Sequence, residues 1–216
     1  MKKLRILVAD DHEIVRQGVR KLAEERPEWE VCGEAADGRS AVALAEELKP
    51  DVVIVDLGMP ELGGLEATRQ IKRSLPQTEV LIFTGQEDEQ LIHDVFTAGA
   101  RSYILKNDIG RHLIAAIEAL GQHKHYFTNR TSEVIFARYL DGRSGPGNDK
   151  MEGLTPRERE IVQLLAEGKS NKEVASVLGI SIKTAETHRA TIMRKLNFDS
   201  FADLVRYAIR RKIIEL

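Results

Sequence analysis

Three carboxylates stand where two apolar runs end. Asp10 and Asp11 follow Leu4-Arg5-Ile6-Leu7-Val8-Ala9, and Asp56 closes Val52-Val53-Ile54-Val55 before Leu57-Gly58-Met59-Pro60. Short β-branched runs with turn residues behind them read as strands buried on both faces, as in parallel sheets. A carboxylate at the carboxyl end of such a strand lies on the rim where open α/β sheets bind ligands. Three of them make a hard-oxygen site suited to Mg²⁺. Two further runs bring other groups to the same rim: Val80-Leu81-Ile82-Phe83 ends in Thr84, and Ser102-Tyr103-Ile104-Leu105 ends in Lys106. A cation and a hydroxyl beside a metal suit a phosphoryl group in flight, because phosphoryl transfer depends mainly on positioning and charge stabilisation. Asp56 is then the nucleophile and an acyl phosphate its product. Singly, each residue has a plainer reading: Asp11 as a helix cap, Thr84 and Lys106 as solvated strand ends, Tyr103 as packing. Their coincidence at the ends of four strands favours the chemical one.

These residues need a scaffold that gathers four strand ends on one side. Predicted strands are Leu4–Ala9, Trp29–Ala35, Val52–Val55, Val80–Phe83 and Ser102–Leu105, alternating with amphipathic helices such as Glu13 to Glu25, whose Ile14, Val15, Val19 and Leu22 share one side. Five βα units in residues 1–125 predict an α/β doubly wound, five-stranded parallel sheet with right-handed crossovers. Residues 126–150 are expected to hold a connecting helix, Thr131 to Leu140, and a linker. The linker, Asp141 to Lys150, is rich in Gly and polar residues and lacks any apolar side chain able to hold it down.

A length of 216 residues fits one large domain or two ordinary ones, and a hydrophobic share of 42% is enough for real cores. No apolar stretch approaches membrane-spanning length, and the N-terminal run is too short for a signal peptide, so a cytoplasmic protein without a membrane partner is expected. A single cysteine, Cys32, excludes an internal disulfide and any cysteine-rich metal centre. The net charge of -2 conceals a polarity: from Lys150 onward there are 13 basic against 9 acidic residues, before it 19 against 25. An acidic first part and a basic last part imply different partners.

Residues 151–216 read as a small all-α, four-helix domain. Thr155-Pro156-Arg157-Glu158 and Ser170-Asn171-Lys172-Glu173 are capping boxes, the first with proline at the opening helical position. Gly179-Ile180-Ser181 makes a tight turn into a helix that runs to about Lys195, and a last amphipathic helix spans Ser200 to Lys212. Two short helices about a glycine turn match a helix-turn-helix, whose second helix enters the major groove. Ala185, Ile192 and Leu196 form its inward stripe. Lys183, Thr184, Glu186, Thr187, Ala190 and Arg194 lie outward, a mixture able to bond base edges and touch thymine methyls. Lys183, Arg189 and Lys195 suit phosphate contacts, and the helix start at Ser170, Asn171 and Lys172 suits a backbone phosphate.

Residues 1 to about 125 resemble the receiver domain of two-component response regulators in four separated motifs: Val8-Ala9-Asp10-Asp11-His12, Val55 to Pro60, Phe83-Thr84-Gly85 and Tyr103 to Lys106. The resemblance implies a flavodoxin-like fold in which Asp56 accepts a phosphoryl group from a phosphohistidine on a sensor histidine kinase. It also implies that Asp11, Asp56 and the Gly58 carbonyl hold Mg²⁺, with Asp10 acting through water. Thr84 and Lys106 would bind the phosphoryl oxygens, and Tyr103 would move inward as Thr84 shifts. One departure is Asn107, where many receivers follow the lysine with proline. Leu154 to Glu160, Gly168 to Ala175 and Lys183 to Arg189 resemble the LuxR-type DNA-binding domain. The pair of domains is the arrangement of NarL/FixJ-type regulators.

Together the two resemblances imply a phosphorylation-controlled, sequence-specific transcription regulator, a phosphoryl acceptor with slow self-dephosphorylation rather than an enzyme. Its implied partners are the kinase, double-stranded DNA with an inverted-repeat operator, RNA polymerase and a second copy of the chain after phosphorylation, paired through Leu204, Val205, Ala208 and Ile209. A haloacid-dehalogenase-type hydrolase is the rival for the acidic rim, but such enzymes carry a second acid two residues after the nucleophile, where this chain has Gly58. The rival for the whole chain is a protein-interaction adaptor without DNA binding.

Overall fold

Leu4–Ala9 (β1), Trp29–Ala35 (β2), Val52–Val55 (β3), Glu79–Thr84 (β4) and Ser102–Leu105 (β5) form the strands predicted for them, with β4 one residue longer at each end. The structure, a computed structural model, describes residues 3–86, 89–140, 154–211 and 213–214. The predicted linker at 141–150 lies outside them. The chain divides into two compact units, one built on the sheet and one on the C-terminal helices.

In the first unit all strand pairs are parallel, in the order β2-β1-β3-β4-β5-β6, where β6 is the short strand Tyr126–Phe127. The order reverses at β1 and β3, so the rim crevice falls between the ends of these two strands. Alternation of side chains across the pleat splits the core in two. Ile6, Val8, Ile54, Leu81, Phe83 and Ile104 face Val19 and Ala23 of helix α1 (Glu13–Glu24) and Leu113, Ile117 and Leu120 of α5 (Ile109–Gly121). Helices α2 (Gly38–Leu48), α3 (Gly64–Ser74) and α4 (Glu89–Thr97) pack against the sheet as well, filling out the doubly wound arrangement.

Among the described residues the sheet has six strands, not the expected five. Tyr126–Phe127 (β6) pairs with β5, placing Phe127 beside Tyr103. Two residues carry no readable period, which is why the pattern stops at β5. The predicted connecting helix is α6 (Asn129–Leu140), and both β6 and α6 pack on the first unit.

The second unit holds α7 (Pro156–Ala166), α8 (Asn171–Leu178), α9 (Ile182–Lys195) and α10 (Phe201–Arg210). Its caps are those the sequence announces: Thr155 and Ser170 close capping boxes with Glu158 and Glu173, and Ser200 adds a third with Asp203. Each such cap contributes about 1 kcal/mol. Gly179 takes φ 63° between α8 and α9, a left-handed conformation that costs other residues strain. The core comprises Leu154, Ile161, Leu164, Val174, Leu178, Ala185, Ile192, Leu204 and Ala208 with their neighbours.

Candidate functional site

Register brings the rim residues together. Ala9 pairs with Val55, so Asp10 and Asp56 leave the sheet side by side, and the Asp56 amide donates to the Ala9 carbonyl at 2.9 Å. Thr84 pairs with Leu105, which sets Lys106 one step beyond. Lys106 opens a short 3-10 turn and lays its Nζ 2.8 Å from Asp10 Oδ2 and 3.1 Å from Asp56 Oδ2. Asp10, Asp56 and Thr84 are buried, while Asp11 is exposed. Thr84 Oγ1 accepts from the Gln86 amide at 3.2 Å. Tyr103 is already turned inward, 2% exposed, and its hydroxyl donates to the Gln86 carbonyl.

Burial pushes the Asp56 carboxyl above its ordinary value; Lys106 opposes the shift and Asp10 adds to it. Burial also disfavours the charged form of Lys106, but hydrogen bonding and attraction from Asp10 and Asp56 prevail and its pKa is raised. The pocket thus holds one cation between two close carboxylates, an arrangement that rewards any further positive charge.

The donor chemistry fits Mg²⁺. Ligand atoms of Asp10, Asp11, His12 and Asp56 all lie within 4.8 Å of one another, and carboxylate oxygens are the donors a hard divalent cation prefers. Gly58, the expected carbonyl donor, is half-buried two residues beyond Asp56. The His12 ring, read in the sequence only as part of a motif, sits with Nδ1 2.7 Å from Asp11 Oδ1.

Gly64 does not stand out in the sequence, yet it lies directly against the backbone of Asp56. A Cβ there would stand 1.9 Å from the Asp56 carbonyl oxygen. The signal available was the Gly63-Gly64 pair ahead of an amphipathic run, ambiguous between a turn and a close approach.

In the second unit, Lys183, Thr184, Glu186, Thr187, Ala190 and Arg194 are exposed on α9, and Ala185 and Ile192 face the core. Thr187 spends its hydroxyl hydrogen on the Lys183 carbonyl at 2.8 Å, leaving oxygen and methyl outward. Arg189 is half-buried, its guanidinium 5.3 Å from the centre of the Phe201 ring. At the start of α8, the Ser170 amide and hydroxyl are both taken by the Glu173 carboxylate, at 2.8 and 2.7 Å. An anion at this helix end would therefore meet Asn171 and Lys172 rather than Ser170.

Two expectations change on inspection of the packing. Lys195, expected at a phosphate, has its Nζ 2.7 and 2.8 Å from the two carboxylate oxygens of buried Glu158 and ties the end of α9 to the cap of α7. Leu204 and Ala208, expected in a dimer contact, are 0% exposed within the unit's own core. Val205 and Ile209 are half-buried and keep some surface. An amphipathic helix has one apolar stripe, and here the small bundle uses its centre for itself.

Burial raises the Glu158 carboxyl, but Lys195 and the Thr155 cap outweigh it and hold the group below its ordinary value. A depressed folded-state pKa gives stability that is full above the unfolded-state value and is lost as pH falls through the folded one. Lys195→Met is therefore expected to destabilise the helical unit by about 1–2 kcal/mol at pH 7, a buried-pair cost reduced for the partly exposed lysine. The difference from wild type should shrink on going from pH 7 toward pH 3, as Glu158 approaches its lowered pKa and the ion pair begins to be lost. Thermal melts at the two pH values check it, and an equal deficit at both would refute the pairing as its source.

Comparison with known proteins places these two sites in one family. The model of the response regulator receiver domain matches residues 6–118, and that of the bacterial regulatory proteins, luxR family, matches residues 152–208. The chain is similar to transcriptional regulatory protein LiaR of Bacillus subtilis, 38% identical over 211 residues that span 98% of this chain and 99% of that one. It is equally similar to oxygen regulatory protein NreC of Staphylococcus epidermidis, 38% identical over 218 residues, covering 98% of this chain and 100% of that one. Among solved structures, RcsB from Salmonella enterica serovar Typhimurium, bound to a promoter in the presence of a beryllofluoride phosphomimetic, is 28% identical. It aligns with a TM-score of 0.60 over 95% of this chain and 98% of that one. The chain belongs to the NarL/FixJ-type transcriptional response regulators, in which a receiver domain is joined to a LuxR-family DNA-binding domain.

Proposed function

We propose that Asp56 is the phosphoryl acceptor and that its modification controls DNA binding by the helical unit. The observation that carries this reading is Lys106, whose ammonium lies between Asp10 and Asp56, 2.8 and 3.1 Å away. An Asp56 oxygen attacks the phosphorus of a phosphohistidine on a sensor histidine kinase. The phosphorus–nitrogen bond breaks, its electron pair stays on the imidazole, and an acyl phosphate forms. Asp11, Asp56 and the Gly58 carbonyl would hold Mg²⁺, with Asp10 behind a water; when bound it neutralises charge on the phosphoryl oxygens. Lys106 turns from the carboxylates to one of those oxygens, and Thr84 donates its hydroxyl hydrogen to another. Thr84 and Tyr103 both bond Gln86, so a shift of the threonine reaches the tyrosine through one residue.

On the output side, Lys183, Thr184, Glu186, Thr187, Ala190 and Arg194 face base edges, while Arg189 and the Asn171–Lys172 helix start meet phosphates. Phosphorylation favours a homodimer, and a two-fold dimer reads an inverted-repeat operator. RNA polymerase is the partner such a regulator would meet at a promoter. The domain boundaries fitting this reading are a receiver over 1–125, a connection over 126–150 and a DNA-binding domain over 151–216, with β6 and α6 serving the receiver. The DNA-bound relative and the absence of a membrane-spanning helix among the described residues agree with a regulator working where DNA is.

The test is gel-filtration mass and affinity for duplexes selected from a randomised pool, with and without Mg²⁺ plus beryllofluoride. Wild type should gain about tenfold in DNA affinity or shift to dimer mass, each tenfold being worth about 1.4 kcal/mol, and Asp56→Asn should do neither. DNA binding alike in both proteins and indifferent to the phosphomimetic would make the receiver a passive module. Absence of any selected duplex would favour the adaptor.

A further inference from the structure

Arg16 contacts the acidic turn from outside the pocket. Asp10 is 2% exposed, and its polar groups are met from several directions. Its amide donates to the Ala35 carbonyl at 3.1 Å, its Oδ1 accepts from the His12 amide at 2.9 Å, and Lys106 faces its Oδ2. The remaining group, the backbone carbonyl, accepts from the Arg16 guanidinium at 2.7 Å. Sheet, turn and pocket account for the others; the carbonyl depends on one long side chain from α1. A buried carbonyl stripped of its donor is costly, so the turn would have reason to move if that side chain were absent.

The guanidinium is itself held. Arg16 is only 15% exposed at its side chain, and its Nε lies 3.5 Å from Glu34 Oε2 on β2. The other Glu34 oxygen is engaged by Arg20, whose Nε donates at 2.6 Å. Glu34 therefore already has a cation without Arg16, and neutralising it does not explain why a second arginine turns toward the Asp10 carbonyl. A planar fork presents its donors in a fixed spread to a carbonyl and a carboxylate set apart, a geometry that the single nitrogen of a lysine does not reproduce.

We infer that Arg16 is a positioning residue for the acidic pocket, clamping the Asp10-Asp11 turn through the Asp10 carbonyl so that both carboxylates converge before a cation arrives. The inference rests on the reading of this pocket as a Mg²⁺-dependent phosphoryl acceptor. Its physical content is preorganisation: a clamped turn has less freedom to lose when the ion binds. It also makes a prediction opposite in sign to simple electrostatics. Removing a positive charge near three carboxylates should by itself tighten a divalent cation, whereas loss of the clamp should weaken it.

The experiment is calorimetric titration of the full chain with Mg²⁺, together with the rate of phosphorylation by acetyl phosphate as a function of Mg²⁺ concentration. Arg16→Ala is expected to raise the Mg²⁺ dissociation constant about tenfold, with the maximal rate at saturating Mg²⁺ within about twofold of wild type. Arg20→Ala, which removes the same charge but does not touch Asp10, should leave the constant unchanged or slightly lower. Arg16→Lys, which keeps the charge and loses the fork, should fall between, at about threefold weaker, and it carries the test if Arg16→Ala does not fold. Unchanged or tighter Mg²⁺ binding in the folded Arg16 variants would overturn the clamp, as would equal weakening in Arg20→Ala. A wild type that binds no Mg²⁺ or takes no phosphoryl group at Asp56 would overturn the underlying reading; a responsive wild type with indifferent Arg16 variants sinks the clamp alone.

Discussion

Replacing Gly64 with alanine is expected to cost the receiver unit about 3 kcal/mol, the upper range for forcing atoms into a packed interior. The new Cβ would stand 1.9 Å from the Asp56 carbonyl oxygen, 2.8 Å from the carbon of that carbonyl and 2.9 Å from Val55 Cγ1. Two of the three obstructing atoms are backbone, so no rotamer change relieves the clash. Either the start of α3 backs away from the sheet or the end of β3 bends. The first breaks the bond from the Gly64 amide to the Leu57 carbonyl, 3.0 Å long, and the second moves Asp56, the proposed phosphoryl acceptor. Urea unfolding of the full chain should show an earlier receiver transition, and phosphorylation from a small donor should slow by about 100-fold, since an ångström of misplacement is felt on that scale. Gly18 supplies the contrast. It lies within α1 with nothing within 4 Å of its added Cβ, so Gly18→Ala should stabilise the helix by about 0.5–1 kcal/mol. Equal behaviour of the two variants would mean that the close approach is relieved cheaply.

Lys106→Met should have the largest effect on function. Asp10 and Asp56 are 3% and 6% exposed at their side chains, and Lys106 is the cation between them. Its removal leaves two close, buried like charges, which should lower stability at pH 7 by about 3 kcal/mol without added metal. Added Mg²⁺ should then raise the variant's melting temperature more than that of wild type. The rate of phosphorylation should fall by about 100-fold, the usual loss when one donor to a developing charge is deleted. The pH profile carries a second signature. Burial and Asp10 hold the Asp56 carboxyl above its ordinary value and Lys106 holds it down, so the variant's carboxyl titrates higher still. Because Asp56 must be ionised to act as the proposed nucleophile, the acidic limb of the rate should move toward higher pH in Lys106→Met. A variant with the same limb and the same rate at saturating Mg²⁺ would remove Lys106 from the transition state.

Several features were legible because they are local. The five long strands carry their own hydrophobic signature, and Asp10, Asp11, Asp56, Thr84 and Lys106 stand at their ends. The Thr155 and Ser170 boxes are spelled out in four consecutive residues each, and so is the turn at Gly179. The inward stripe of α9 follows from helical spacing too: Ala185 and Ile192 are buried, and Leu196 is half-buried against the same core.

Other features depended on what lies across the packed interior. A two-residue strand such as β6 exists only because β5 offers it an edge. An amphipathic stripe declares that α10 must be covered, not by what; the bundle itself covers Leu204 and Ala208. A lysine near a helix end reads as available for a phosphate until Glu158, 37 residues earlier, is seen to claim Lys195. Gly64 and Arg16 matter for the space and the carbonyl they meet, and both depend on how a helix folds back against the end of the strand before it. By itself the sequence determined the five longer strands, the capped helices and the chemistry their ends present, since propensity, capping and periodicity act over a few residues. Only the tertiary structure decided which charges are spent on one another and which glycine leaves no room, because pairing and packing join residues that the chain keeps apart.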